Sequence, residues 1–313
     1  MQQPNRSVPF PKVLLPRSAD ALAYVFAMAT IIAWGSAFVA IRAAVRPGGY
    51  SPGHLTLLRF LSASATLMVC SFFFHIRRPA LADLFIMLLM GLVGVALYHG
   101  MLNYAETRVS AGAASFLINL SPIFTVLAAT LFLEEHLRWG GWCGIGVSLV
   151  GALIIALGES HGVTLNLAML LVLFCAACNS FYTICNKRLL VRYSPLEISC
   201  YAVWIATLFL MIFAPGFGTA VYSASPESTL SGVYLGVFPA ALAYVSWGAA
   251  LHRMPASLAV NFMYLMPAVT MIIAWIWLRE PPRLSTIIGG CVAVTGVMIV
   301  VSFGREKRAA KSA

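Results

Sequence analysis

The sequence predicts an all-helical (all-α) integral membrane protein, with ten transmembrane helices arranged as two inverted five-helix repeats and both termini cytoplasmic. Three observations carry this expectation. The 313 residues are 61% hydrophobic and 10% charged, with a mean hydropathy of +0.89, more apolar than a soluble domain of that length requires. The apolar residues run in stretches of about 20, the length that spans roughly 30 Å of hydrocarbon as a helix; the alternating segments of about 10 residues expected of a membrane barrel are not found. The back of the chain also repeats its front at an offset of 145 residues.

The first span, 21–43, follows a polar, Pro-rich cytoplasmic tail, 1–20, that lacks an apolar region with a cleavage site, so the span reads as retained. It carries Trp34 and ends on Arg42. Span two, 53–75, holds Arg59 about seven residues in, roughly 10 Å at 1.5 Å per residue, where snorkelling to headgroups is the default and an anion gate the alternative. Span three, 83–103, carries Tyr98 and His99. Span four, 109–133, contains SFLINLSPIFTVL, with Ser115, Asn119, Ser121 and Pro122 set in an apolar run. Span five, 140–158, presents Gly144, Ser148 and Gly151 on one face and closes the first repeat, 21–158.

An extracytoplasmic connection, 159–165, leads to the second repeat, 166–303. In span six, 166–187, Tyr182 joins Cys175 and Cys178; with no second pair or nearby histidine, this CxxC reads as small buried side chains rather than a metal or redox site. Span seven, 195–214, follows a YSP that echoes the YSP at 50–52. Span eight, 230–250, carries Tyr244 and Trp247, and span nine, 255–278, carries Asn261, Tyr264 and Pro267. Span ten, 285–303, has Gly289, Ala293 and Gly296, the counterparts of the small face in span five. Such faces allow close approach, either between these two spans or between two protomers. A basic cytoplasmic tail, 304–313, ends the chain.

Basic residues set the orientation. With cytoplasmic termini, fourteen of the twenty Lys and Arg lie inside, against Arg42, Arg46, Arg108, Arg279 and Arg283 outside and Arg59 within a span. The net charge of +10 then reflects topology and contact with anionic membrane lipid, and no nucleic-acid partner is expected.

At the offset of 145, residues 105–154 lie on 250–299 without gaps, matching Arg108 with Arg253, Pro122 with Pro267, Thr125 with Thr270, Glu135 with Glu280 and Gly151 with Gly296. Shared apolar composition does not produce such matches. Five spans per repeat is an odd number, so the halves run in opposite directions, an architecture suited to alternating access at a midplane site lined by interrupted helices.

WGSAFVAIR in span one, the NxSP of span four, the paired span endings at Glu135 and Glu280, and the ten-span repeat resemble the EamA-type transporters of the drug/metabolite transporter superfamily, over residues 20–303. Within that family the chain looks most like the YddG-type aromatic amino-acid exporters of bacterial inner membranes. The resemblance implies a central cavity lined by spans one, three, four, six, eight and nine, with spans five and ten packed outside it.

Pro122 and Pro267 each remove a helical N–H, freeing the carbonyls of Ile118 and Met263. In hydrocarbon such breaks persist where side chains or cavity water satisfy them. Ser115, Asn119 and Ser121 cluster at one break, Asn261 and Tyr264 at the other, and they read either as cavity lining or as hydrogen bonds between helices. Trp34, Tyr98, His99, Tyr182, Tyr244 and Trp247 read either as stacking partners for a substrate or as an interfacial belt. Glu135 and Glu280 read as caps at the positive ends of the following helices, with a substrate ligand the alternative.

The function expected is export of small amphipathic metabolites, aromatic and other neutral amino acids, across the bacterial inner membrane. The candidate substrate-binding residues are Trp34, Tyr98, His99, Ser115, Asn119, Tyr182, Tyr244, Trp247, Asn261 and Tyr264, and Pro122 and Pro267 are the gating breaks. A drug or other-metabolite carrier of the same fold is the alternative, and a non-transporting scaffold or sensor is a further one. An enzyme is not expected, since HExxH and paired aspartates are missing; neither is a metal or cofactor. Every Asp and Glu falls in a tail, connection or span end, so coupling through a buried acid is not expected. The partners expected are the substrate and lipid, for a monomer or homodimer.

Overall fold

The computed structural model describes residues 21–74, 76–132, 139–159, 167–253 and 262–303, and all regular elements among them are helical. In the first half, α1 is Ala21–Ala44, α2 is Pro52–Phe73, α3 is Leu81–Ala105, α4 is Ala111–Ile118, α5 is Ser121–Phe132 and α6 is Trp139–Glu159. In the second half, α7 is Leu167–Leu189, α8 is Pro195–Leu210, α9 is Phe217–Ser223, α10 covers 226–253, α11 is Met266–Leu278 and α12 is Leu284–Phe303. Six of the described helical stretches are long and apolar enough to cross a membrane, and Ala111–Thr125, Trp139–Ile155, Met266–Leu278 and Leu284–Val300 are shorter apolar helices. The chain is a multi-pass membrane protein.

Serines set several helix starts. Ser51, Ser110, Ser194 and Ser225 each accept a hydrogen bond from a backbone N–H in the first turn of α2, α4, α8 and α10, and in three of the four a proline follows in the first turn, where its missing N–H has no helical partner to lose. Cap chemistry moves the start of α10 back to Pro226, four residues before the apolar run expected at 230. Between α8 and α10 the chain also forms the short helix α9, entered through Gly216 at φ 75°, where the sequence reading expected only a connection. This segment lies over the link between α1 and α2: Ser225 N–H donates to the Gly48 carbonyl at 3.1 Å, and a His54 ring nitrogen lies 3.1 Å from the Pro215 carbonyl.

Span four is two helices, not one. Asn119 and Leu120 form a turn between α4 and α5, and Pro122 sits in the first turn of the second helix. Tyr264 and Leu265 make the equivalent turn before α11, with Pro267 in its first turn. Both prolines therefore begin helices rather than kink continuous ones, which places the missing N–H where it costs least.

Two wide π-helical turns also stand at matching places: Met90–Leu97 in α3 and Phe238–Leu242 in α10. Gly94 and Pro239, 145 positions apart in the sequence, lie one in each. A Cβ on Gly94 would stand 2.8 Å from Cβ of Tyr182, so only glycine admits α7 at that depth.

The main helix contacts cross between halves and form a symmetric set. α1 packs on α10 and α11 while α7 packs on α3, α4 and α5; α2 packs on α10 while α8 packs on α3; α2 meets α8, and α6 meets α12. Exchanging the halves leaves this pattern unchanged. The α6–α12 contact is the most extensive, and it resolves the alternative left open above: the two small faces meet within one chain. A Cβ on Gly144 would lie 2.8 Å from the Gly296 carbonyl, one on Gly289 would lie 2.7 Å from that of Gly151, and Ser148 Oγ donates to the Ala293 carbonyl at 3.0 Å. Contacts of 144 with 296 and of 151 with 289 make the pair antiparallel.

Ion pairs fasten both ends of the bundle. At one end Arg42 donates to Glu280 Oε1 at 3.0 Å and to the Glu106 carbonyl at 2.7 Å, so Glu280, expected to cap the last helix, ties α1 to the segment before α12. At the other end Arg77 donates to Glu197 through its backbone N–H, Nε and Nη2, while Glu197 completes a capping box with Ser194. Arg192 there pairs with Asp83 at 3.0 Å.

Candidate functional site

A cavity of about 400 Å³ lies between the two halves, within the ~300–1,000 Å³ range of small-molecule sites. The first half contributes Trp34, Phe38 and Ile41 of α1, Arg59 of α2, Tyr98 and His99 of α3, and Asn119 and Ser121 at the break. The second half contributes Asn179, Tyr182, Thr183 and Asn186 of α7, Ser199 of α8, Tyr244 and Trp247 of α10, and Met263 and Met266 around the start of α11. No described residue of α6 or α12 lines it. Helices α2 and α8 join the six spans that the resemblance implied.

One wall is aromatic. The Trp34 ring lies 5.7 Å from Tyr244 and 5.6 Å from Trp247, and Tyr244 lies 6.3 Å from Tyr182, tilted and edge-on geometries favoured by ring quadrupoles. Trp34 Nε1 donates to the Pro239 carbonyl at 3.1 Å, which fixes the indole against the π-helical turn of α10. These rings face the interior of the bundle rather than an interfacial belt.

The break is satisfied locally. The Ile118 carbonyl, which Pro122 deprives of a helical donor, accepts from Ser121 Oγ at 2.8 Å, and Asn119 Nδ2 donates to the Ser115 carbonyl at 2.9 Å. Helix α7 is stitched to the same turn: Asn179 Nδ2 donates to Ser121 Oγ at 3.1 Å, and Ser180 Oγ donates to the Ser121 carbonyl.

Seven of the candidate residues thus come together at the cavity: Trp34, Tyr98, His99, Asn119, Tyr182, Tyr244 and Trp247. Ser115 does not join them. It is fully buried, and its hydroxyl donates back to Gly112 at 2.7 Å, so it serves its own helix. Tyr264, Pro122 and Pro267 adjoin the breaks without lining the cavity. Asn261 and Glu135 lie outside the described residues.

Two expectations about charge are corrected. Arg59 does not snorkel: it is 3% exposed, lines the cavity, and leaves Nε and Nη1 without a hydrogen-bond partner. The reason lies in the face it occupies, since Thr56, Phe60, Ala63 and Leu67 on the same side of α2 are all buried. Glu106, placed by the sequence in a connection, is completely buried behind the end of α3, and neither carboxylate oxygen has a partner. Burial pushes its carboxyl well above the usual range, against the opposing pull of Arg42 and Arg59.

Sequence reasoning singled out neither Arg59 as lining nor the polar stripe of α7. Asn179, Thr183 and Asn186 follow helical spacing around Tyr182, a signal open to periodicity. His99 is buried, with its ring 4.9 Å from Phe60 and Nδ1 unpartnered.

Known proteins share this architecture. The profile of the EamA-like transporter family matches residues 21–157 and again 166–302. A protein of Streptantibioticus cattleyicolor named "Probable terminal-alkyne amino-acid exporter" is 36% identical, over 90% of this chain and 94% of its own. The "Uncharacterized transporter YdfC" of Bacillus subtilis is 36% identical over 84% of this chain and 86% of its own, and an "Uncharacterized transporter" of Archaeoglobus fulgidus is 31% identical over 87% and 96%. A crystal structure 19% identical in sequence superposes with a TM-score of 0.63, covering 95% of this chain and 100% of that one, a likeness of fold. With the family profile matched in both halves, and with relatives above 30% identity along nearly their whole length, the chain belongs to the EamA-like transporter family.

Proposed function

We propose that this transporter exports small amphipathic metabolites, neutral and aromatic amino acids foremost, from the bacterial cytoplasm by alternating access. The observation that carries this reading is the cavity itself: both halves supply its wall, which joins an aromatic cluster around Trp34 to the amides of Asn119, Asn179 and Asn186. Rings stack on the apolar part of an amino acid or attract its ammonium, and amides and hydroxyls meet its polar groups. The name of the Streptantibioticus relative points to the same class.

In this reading ten spans form two inverted repeats, 21–158 and 166–303, joined by the extracytoplasmic connection 159–165 and flanked by the cytoplasmic tails 1–20 and 304–313. The antiparallel meeting of α6 with α12 and the symmetric set of contacts support the inversion. The Arg42–Glu280 pair would then close the outer side and the Arg77–Glu197 pair brace the inner one. Because the small faces of α6 and α12 occupy each other, they are not available to a second protomer, which favours a monomer. Proteoliposomes containing the purified chain test the function, with tryptophan, phenylalanine, small neutral amino acids and a cationic drug as competitors. Saturable flux of an amino acid supports it; saturable flux of the drug alone would move the assignment to a drug carrier.

A further inference from the structure

Among the described residues that line the cavity, Arg59 is the single Asp, Glu, Lys or Arg. It is 3% exposed, Nε and Nη1 have no hydrogen-bond partner, and it forms no ion pair with any described residue. A charge removed from water and left unpaired is costly, and such charges in membrane interiors mark function by default. The neighbours relieve it only in part: its guanidinium carbon lies 5.8 Å from the centre of the Phe60 ring, and no described side chain bonds it. His99 keeps an unpartnered Nδ1 of its own, and Glu106 leaves both carboxylate oxygens unbonded instead of pairing with it. The rest of the wall is neutral, from the aromatic cluster to the amides of α7. A forked, planar cation in a wall without a carboxylate is complementary to a carboxylate ligand, which it can hold through two parallel N–H···O bonds. A cationic ligand would meet like charge.

We propose that Arg59 is the carboxylate-binding residue of this cavity, so that a ligand must carry a free carboxylate, with its apolar body against the rings of Trp34, Tyr244 and Trp247. That the ligand is also carried across the membrane rests on the function proposed above; that it binds does not.

The test is binding to the full chain in nanodiscs, by calorimetry, with four probes of one skeleton: phenylalanine, 3-phenylpropionate, phenylalaninamide and phenethylamine. The two acids are expected to bind at least about tenfold tighter than the amide and the amine, the range of a charge-assisted hydrogen bond. Arg59→Gln is expected to abolish that preference and Arg59→Lys to keep part of it, since lysine retains the charge without the fork. Folding supplies an independent readout. Removing an unpaired buried charge is expected to raise the melting temperature in Arg59→Met and Arg59→Gln, whereas an arginine that merely held the fold would lower it on removal. Equal binding of acid and amide, a preference that survives Arg59→Gln, or a wild-type chain that binds none of the four would each overturn the inference. Arg59-dependent acid binding without flux in liposomes would leave the inference standing and sink the transport reading. Equal flux of acid and amide would do the reverse.

Discussion

The Ser148 hydroxyl donates to the carbonyl of Ala293 at 3.0 Å, and the two residues stand 145 positions apart, the offset at which the halves of the sequence superpose. Residues equivalent by the repeat therefore touch, as the inverted arrangement proposed above requires. The glycines around them let the backbones meet. A Cβ at Gly151 would overlap the backbone of Ala293, which has no rotamer to change. Gly151→Leu is expected to destabilise by at least about 3 kcal/mol, the upper end of overpacking costs, whereas Ser148→Ala costs only about 0.6 kcal/mol, the mean for hydrogen bonds between membrane helices. Thermal unfolding of the two variants in detergent measures the difference.

Asn119 and Ser115 separate the two readings of the polar residues in span four. Asn119 lines the cavity, while the hydroxyl of Ser115 serves its own helix. If the proposed function holds, Asn119→Ala raises KM for an amino-acid substrate severalfold, by loss of one hydrogen bond worth about 0.5–1.5 kcal/mol, with melting nearly unchanged. Ser115→Ala is expected to leave KM as it was. Initial rates of counterflow at varied substrate concentration provide the comparison.

Glu197 anchors the opposite end of the bundle. It is 2% exposed and accepts from three groups of Arg77 and from Ser194 N–H. Because Arg77 itself is largely exposed, its charge returns to water when the partner is lost, and Glu197→Gln is expected to cost about 1–3 kcal/mol, the sum of a weakened cap and one charge-assisted bond. A melting curve at low and high salt checks this: the loss persists in salt because the carboxylate is buried.

Glu106 supplies a pH dependence. Burial raises its carboxyl in the folded chain above the unfolded value, so the folded state binds the extra proton and stability falls as pH rises from the ordinary carboxylate range toward the raised value. Glu106→Gln, which mimics the protonated form, is expected to melt higher than the parent at neutral pH and to show a flatter dependence of melting temperature on pH. A steeper dependence in the variant would contradict this placement of the carboxylate.

Much of this architecture is visible in the residues, and the exceptions have physical causes. Helix existence follows from apolar length, which is why the described helices other than α9 fall where hydropathy puts them. Boundaries follow instead from caps: Ser225 and Pro226 start α10 outside any apolar window. The repeat located the paired turns at Pro122 and Pro267 and the small faces at Gly151 and Gly296, because those positions are constrained by backbone geometry. Side-chain direction was harder to read. Arg59 and Glu106 sit near helix ends by number, yet both are buried, since neighbouring helices rather than depth decide which face meets lipid. Ser115 looked like Asn119 in sequence, but a serine hydroxyl within a helix turns back to the carbonyl three residues before it. The stripe of Asn179, Thr183 and Asn186 went unremarked because amides on a membrane helix are equally at home between helices.

The central claim is that the cavity walled by Trp34, Tyr244 and Trp247 carries amino acids. Phenylalanine counterflow into proteoliposomes tests it most directly, with the parent chain compared with Trp34→Ala and with protease protection confirming insertion. The account predicts saturable counterflow in the parent, competed by tryptophan and little affected by a cationic drug, and a KM raised roughly tenfold in Trp34→Ala from the loss of about 1–2 kcal/mol of ring contact. A correctly inserted parent with no saturable flux for any amino acid, or a Trp34→Ala variant with the parent's KM, would contradict it.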